Sequence, residues 1–262
     1  MHKQRVKFFS SLAFVAVIAV AVSAYATHSW GGYHWARTSN PFTIKLGDNL
    51  SSSWQTYLSK ASSDWTASTV LDTSIVAGQA SSKRCSATLG RVEVCNSTYG
   101  NNGWLGIASI WLQSGTLHIT QGTVKLNDTY FNQAQYNTPA WRQMVACQEI
   151  GHTFGLDHQD TIFDNTNLGT CMDYTNDPSG TAGTNGTLAN TSPNKHDYDE
   201  LVTIYTHLDS TTTIGAAPIG VAARAEGDDE LPAEVVANRY KSFVEDLGNG
   251  GQRVTYVFWA PR

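Results

Sequence analysis

Between positions 148 and 158 the chain reads Gln148-Glu149-Ile150-Gly151-His152-Thr153-Phe154-Gly155-Leu156-Asp157-His158. On a helix, positions 148 and 152 share one face and Glu149 stands beside them. Gly155 then lets the chain leave the helix and turn back, which could bring His158 toward the same face. Two imidazoles could hold a zinc-class ion, and a neighbouring carboxylate could poise a water upon it. The fourth donor in the set is a neutral amide. Gln148 can offer a metal only its carbonyl oxygen, a poorer zinc ligand than imidazole. It also lacks the second ring nitrogen through which histidine ligands are oriented.

Those residues need a helix to carry them and a sheet to pack against. Trp141 to Phe154 has the clearest helical pattern, with Pro139 near its start and Gly155 at its end. Ahead of it, Phe42 to Leu46 alternates as a strand does, and Trp54, Leu58, Ala61 and Trp65 have helical spacing. Arg91 to Val94 and Ile107 to Leu112 read as further strands, and Leu117 to Ile119 and Val124 to Leu126 as two shorter ones. Asn176 to Pro193, rich in Asn, Gly, Thr and Ser, reads as a surface loop, after which His196 to His207 resumes a helical pattern. The order implies an α/β (α+β) domain, a mixed sheet with one long helix behind it. Beyond Asp209 the composition shifts to small and acidic residues, with a helix expected over Val235 to Leu247 and a strand over Val254 to Trp259.

The N-terminus reads as an export signal. His2, Lys3, Arg5 and Lys7 precede an apolar run from Leu12 to Val22, and Ala24 and Ala26 suit cleavage after residue 26. That run is short for a bilayer span, so secretion is expected, with no stable membrane span after signal removal. Losing Lys3, Arg5 and Lys7 takes the formal charge from −5 to −8, a balance that argues against nucleic-acid partners. Cys85, Cys95, Cys147 and Cys171 all lie in the exported part, where three disulfide connectivities are possible. The favoured pairs are Cys85–Cys95 and Cys147–Cys171, the second tying the motif helix to the segment that carries Met172. The organisation expected is a signal peptide over 1–26, one domain over 27–209, and a linker with a short C-terminal extension over 210–262.

Gln-Glu-x-x-His-x-x-Gly-x-x-His resembles the extended signature of the metzincin clan of zinc endopeptidases, with Gln148 in place of the first zinc-binding histidine. Downstream, Cys171-Met172-Asp173-Tyr174 is similar to the methionine turn of that clan. Trp104 to Ala108, His118-Ile119 and Val124 to Asn127 look like its strands above the cleft. The resemblance spans roughly residues 40–208 and is nearest in character to matrixin-like and small secreted bacterial members. It implies a zincin-like catalytic domain with a twisted mixed sheet, a long active-site helix and a C-terminal helix. It further implies a Zn²⁺ cofactor on His152, His158 and Gln148, a protein or peptide substrate, and a monomer. Glu149 would take the proton of the metal-held water and pass it to the departing amine. Met172 would floor the site, and Tyr174 would donate a hydrogen bond to the developing oxyanion. An edge strand between Ala108 and His118 would align substrate backbone. Calcium is a secondary expectation of the resemblance, with Asp173 to Asp177 as one place for it.

The sequence leaves three arrangements open at Gln148. The amide could serve as an oxygen ligand, or Asp160 or an out-of-register histidine could complete the site. Alternatively, the chain could keep the fold as a catalytically inactive protein that binds peptide or protein partners outside the cell. Eight tryptophans raise a third class, carbohydrate binding, although several sit within apolar patterns that suit a core. His118, His196 and His207 read as dispersed structural or surface residues, with His118 able to line the cleft. His28 and His34, beside Trp30 and Trp35, are weak candidates for copper or zinc capture. Asn96, Asn127 and Asn185 begin glycosylation acceptor triplets.

Overall fold

A computed structural model describes residues 28–29, 31–183, 185–215, 231–248 and 250–261. The expected signal peptide, Trp30 and the acidic run at 226–230 lie outside the described residues. The strands are β1 (His34–Trp35), β2 (Phe42–Asn49), β3 (Leu71–Ala77), β4 (Val92–Ser97), β5 (Trp104–Leu112), β6 (His118–Asn127), β7 (Ser242–Gly248) and β8 (Gly251–Trp259). The helices are α1 (Gln55–Trp65), α2 (Asp128–Phe131), α3 (Pro139–His152), α4 (Lys195–Ile204) and α5 (Ala233–Asn238).

All eight strands belong to one mixed sheet, ordered β3-β2-β4-β6-β5-β8-β7, with the short β1 parallel to the start of β6. β2, β3, β4 and β6 run parallel, while β5, β7 and β8 pair antiparallel. Helix α3 packs between α1 and the β5–β6 region of the sheet. Every side chain from Trp141 to His152 is buried, so α3 is covered all round rather than amphipathic. Thr138 caps it by accepting from the Trp141 N–H, and Pro139 occupies the first turn, where a missing N–H costs nothing. Asn194 and Asp197 form a reciprocal capping box that starts α4.

Two sequence expectations change. The pair of short strands around 117–126 is one ten-residue strand, β6, because its polar middle, Thr120 to Thr123, is buried between neighbouring strands. Gly122 carries no side chain there and admits Thr153 from below. The helix expected over 235–247 ends at Asn238, where Arg239 takes a left-handed conformation, and β7 follows. Phe243 to Asp246 instead pairs with β8, and the hairpin closes with Gly248 opposite Gly251.

The C-terminal segment is therefore part of the main sheet. β8 lies antiparallel along the whole of β5, with Ala108 opposite Tyr256. On the face of this pair away from the main core, Trp104, Ile107, Val235, Val257 and Trp259 form a second apolar cluster. β5 is consequently an interior strand, which corrects the expectation of a free edge between Ala108 and His118.

Candidate metal centre

The motif residues come together at the C-terminal end of α3. Gly155 follows with φ +96°, and a Cβ there would stand 2.0 Å from the Tyr33 carbonyl oxygen. Only glycine satisfies both the left-handed turn and that close approach. The chain then doubles back and brings the His158 Nε2 to 3.1 Å from the His152 Nε2, with the rings edge to face. The remaining ring nitrogen of each histidine has an orienting partner. His152 Nδ1 lies 2.8 Å from the Leu156 carbonyl oxygen, and His158 Nδ1 lies 3.5 Å from Asp157 Oδ1. A carbonyl can only accept, so His152 carries its proton on Nδ1 and points a lone pair at His158.

Gln148 is fixed by its amide nitrogen. Nε2 donates to the carbonyls of Cys171 (2.7 Å) and Asp173 (3.1 Å), bracketing Met172. Disulfides join Cys147 to Cys171 and Cys85 to Cys95, the first fastening this segment to α3. Gly151 leaves room for Met172, whose sulfur would be 2.7 Å from a Cβ at that position. The amide's other end, Oε1, is buried without a hydrogen-bond partner.

Glu149 is buried beneath β5, where a Cβ on Gly106 would meet Oε1 at 2.7 Å. Neither carboxylate oxygen has a partner at hydrogen-bonding geometry. Burial pushes its pKa well above the ordinary carboxylate range, with the Ala108 backbone N–H acting in the opposite direction. Burial likewise lowers His152 well below the usual imidazole range, and lowers His158.

β8 seals this ensemble. The Tyr256 ring stacks on His152 with centroids 3.8 Å apart and planes 3° from parallel. Tyr174 hydroxyl donates to the Val257 carbonyl (3.3 Å) and accepts from the Trp259 N–H (2.7 Å), while its ring stacks on Phe258. Burial raises the Tyr174 pKa far above that of free phenol. Gln148, Glu149, His152 and Tyr174 have no solvent exposure, and His158 has 7%. An open depression of about 380 Å³ beside Phe163, Lys241 and Trp259 reaches Tyr174 but none of the histidines. The β8 side chains are the functional neighbours that sequence reasoning missed. Val254 to Trp259 was legible as a strand, but no local signal says which strand it joins.

Other candidates resolve differently. Asp160 spends its oxygens on the Ile162 N–H and the Asn165 amide, within the loop rather than at the histidines. In the stretch expected to offer a place for calcium, Asp177 accepts from Ser179, Thr181 and Ala182, and Asp173 Oδ2 accepts from the Leu168 N–H and the Asn190 amide, while Asp173 Oδ1 is buried without a hydrogen-bond partner. The seven described tryptophans are all buried, so none of them offers an exposed ring for a sugar. Asn96, Asn127 and Asn185 are buried too, which disfavours glycosylation of the folded chain. The histidines read as dispersed are clustered instead. Among the described residues, His28, His196 and Asp197 form one group able to hold a metal, and His34, His207 and Asp209 another. No described helix is long and apolar enough to cross a membrane.

No protein-family model matches the chain, and no curated protein matches it. Among solved structures, the chain is similar to high choriolytic enzyme 1, a hatching-enzyme zinc-protease of the medaka fish Oryzias latipes. Identity is 11% and the TM-score 0.37, over 68% of this chain and 96% of that one. A TM-score of this size does not establish a shared fold.

Proposed function

We propose that this chain is an exported zinc-dependent endopeptidase of metzincin type, held closed by its own C-terminal hairpin. One observation carries the reading: a set of buried polar atoms without protein partners at the motif. Gln148 Oε1 has no partner, the Glu149 oxygens have none at hydrogen-bonding geometry, and beside them the two imidazole Nε2 atoms are partnered only by each other. Each unsatisfied buried group costs about 1–3 kcal/mol, against a total stability of roughly 5–15 kcal/mol for a domain. A ligand placed among these atoms would offset that cost.

The residues fit a zinc ion. His152 and His158 would bind it through Nε2, and Gln148 through Oε1. Zinc, when bound, supplies the positive charge that acidifies water and polarises a carbonyl. Glu149 would take the proton released by the attacking water and return it to the leaving amine. Met172 and Gly151 support the helix from below. The hairpin supports a strand-addition path for a substrate. β8 runs along β5 as an added strand, and the Tyr174 hydroxyl already donates to one of its backbone carbonyls. A peptide can take that place only after β8 leaves it.

A second reading has its own support. Gln148 uses both amide hydrogens to bracket Met172, as a purely structural residue would, and the depression that reaches Tyr174 is not lined by the motif histidines. That describes a catalytically inactive metzincin-like protein that binds peptide or protein partners. The two readings separate in one experiment. A site-specific protease sequence placed within 216–230 allows the hairpin to be cut free after folding, and Tyr256→Ala weakens its hold. The peptidase reading expects this preparation to hydrolyse a mixed peptide pool, and Glu149→Ala to abolish the gain. A folded, zinc-loaded, hairpin-released protein without Glu149-dependent hydrolysis would leave the binding reading.

A further inference from the structure

A second histidine cluster lies where the N-terminal strand meets the end of α4, and it shares no residue with the motif. The parallel pairing of β1 with β6 sets His34 opposite His118. The chain leaving α4 then delivers His207 and Asp209 to the same place. His207 Nε2 lies 3.1 Å from His34 Nε2, although the two are 173 residues apart in sequence. Asp209 Oδ1 is 3.2 Å from His118 Nε2, 3.6 Å from His207 Nε2 and 3.7 Å from His34 Nε2.

Those separations are the ones a bound ion would set. Four donors at about 2.0–2.1 Å from a tetrahedral zinc stand roughly 3.3–3.4 Å from one another. His34, His207 and Asp209 already lie mutually within bonding range of a common point. His118, with Nε2 3.2 Å from the same carboxylate oxygen and its ring 5.0 Å from that of His34, would close the set by turning its partly exposed ring. The donors are also held by partners of their own. His34 Nδ1 donates to the Gly32 carbonyl at 2.7 Å, which leaves its Nε2 lone pair facing the cluster. Arg37 grips the other oxygen of Asp209 through Nη1 (3.0 Å) and its backbone N–H (3.2 Å), which leaves Oδ1 facing the imidazoles.

Without a cation this arrangement is awkward. A lone pair on His34 faces a carboxylate oxygen and a second imidazole nitrogen, so the metal-free arrangement depends on a proton at His207 Nε2 or at His34 Nε2. A metal relieves every pair at once. We propose that His34, His207 and Asp209, with His118 as fourth ligand, bind a zinc-class divalent ion that clips the N-terminal strand to the segment after α4. Three imidazoles and one carboxylate suit such borderline ions and disfavour magnesium and calcium, which prefer all-oxygen sites. His207 is half exposed and His118 a quarter exposed, so the ion has a route in from solvent. An ion here joins parts of the chain that are remote in sequence, and it stabilises the folded state by mass action.

The test uses full-length protein carrying His152→Ala, His158→Ala and His196→Ala, which removes the motif imidazoles and breaks the group of His28, His196 and Asp197, and so makes this inference independent of the peptidase reading. After removal of metals by chelator, added Zn²⁺ should bind with a stoichiometry of one. At a hundredfold excess over Kd it should raise Tm by roughly 5–10 °C. Mg²⁺ and Ca²⁺ should do neither. Cobalt loaded in place of zinc should show the visible bands of a four-coordinate ion. His207→Ala and His118→Ala change partly exposed side chains and should leave the fold intact. Each should weaken zinc binding by more than the roughly 10–100-fold that loss of an orienting partner costs. No zinc-dependent rise in Tm, or an unchanged affinity in the His207→Ala protein, would overturn the assignment.

Discussion

Two histidine sites of this molecule, the motif and the cluster around His34, are opposites in access and in completeness. The motif site lies on one helix and the turn after it, is buried beneath β8, and offers two imidazoles with a neutral amide as third donor. The second site draws on three distant segments, is open to solvent, and offers three imidazoles with a carboxylate. The first contains a buried carboxyl without a partner at hydrogen-bonding geometry, whereas the second has no such base within its donor set. The difference separates two uses of a metal. A site meant for chemistry must hold a reactive group and control who reaches it. A site meant for stability needs only ligands from remote places and a way in for the ion.

The largest effect that could break this contrast concerns Glu149. In the hairpin-released protein, Glu149→Ala should lower peptide hydrolysis by about 10²–10⁴-fold, the range for a positioned general acid–base group, with zinc content unchanged. Equal hydrolysis in both proteins would place the chemistry elsewhere. Next is Gly155, which touches the Tyr33 carbonyl and so links the motif turn to the strand that carries His34. Gly155→Ala combines a left-handed conformation with a steric clash and should cost about 2–4 kcal/mol in urea unfolding. A change under 1 kcal/mol would show that the turn is not constrained as described.

A smaller effect is expected at Gln148. Replacing it with histidine supplies an imidazole at the cost of the two hydrogen bonds that bracket Met172. Zinc affinity of the motif site should rise by at least ~10-fold, as competition with a chelating dye would show. An unchanged affinity would mean that residue 148 does not face the metal. The smallest effect is His207→Ala without metal, where stability should stay within about 0.5 kcal/mol of the parent. A large loss of stability in metal-free protein would make His207 a packing residue instead.

Sequence and structure agree best where the signal is local. α1 and α3 follow their spacing of apolar residues and their Pro139 and Gly155 boundaries. The Gln148 to His158 stretch is convergent, as its helix-then-turn pattern implied. The sequence does not reveal what depends on pairing between remote segments. β8 is a strand by pattern, but only the sheet order shows that it lies on β5 and puts Tyr256 against His152. His34, His118, His207 and Asp209 share no spacing that any helix or strand period would pick out. The register of β1 with β6 and the path of the chain after α4 bring them together. Gln148 was visible as a departure from the zinc-protease pattern. That its nitrogen, rather than its oxygen, would be satisfied by the Met172 segment required coordinates.

The measurement that bears most directly on this account is a count of zinc ions by native mass spectrometry, on protein purified without chelator. Three proteins suffice, all carrying His196→Ala to break the group of His28, His196 and Asp197: the parent, the His152→Ala/His158→Ala variant and the His118→Ala/His207→Ala variant. The account predicts two ions in the parent and one in each variant. A parent whose zinc count is untouched by losing His152 and His158 would contradict the claim that the sealed motif is a metal centre.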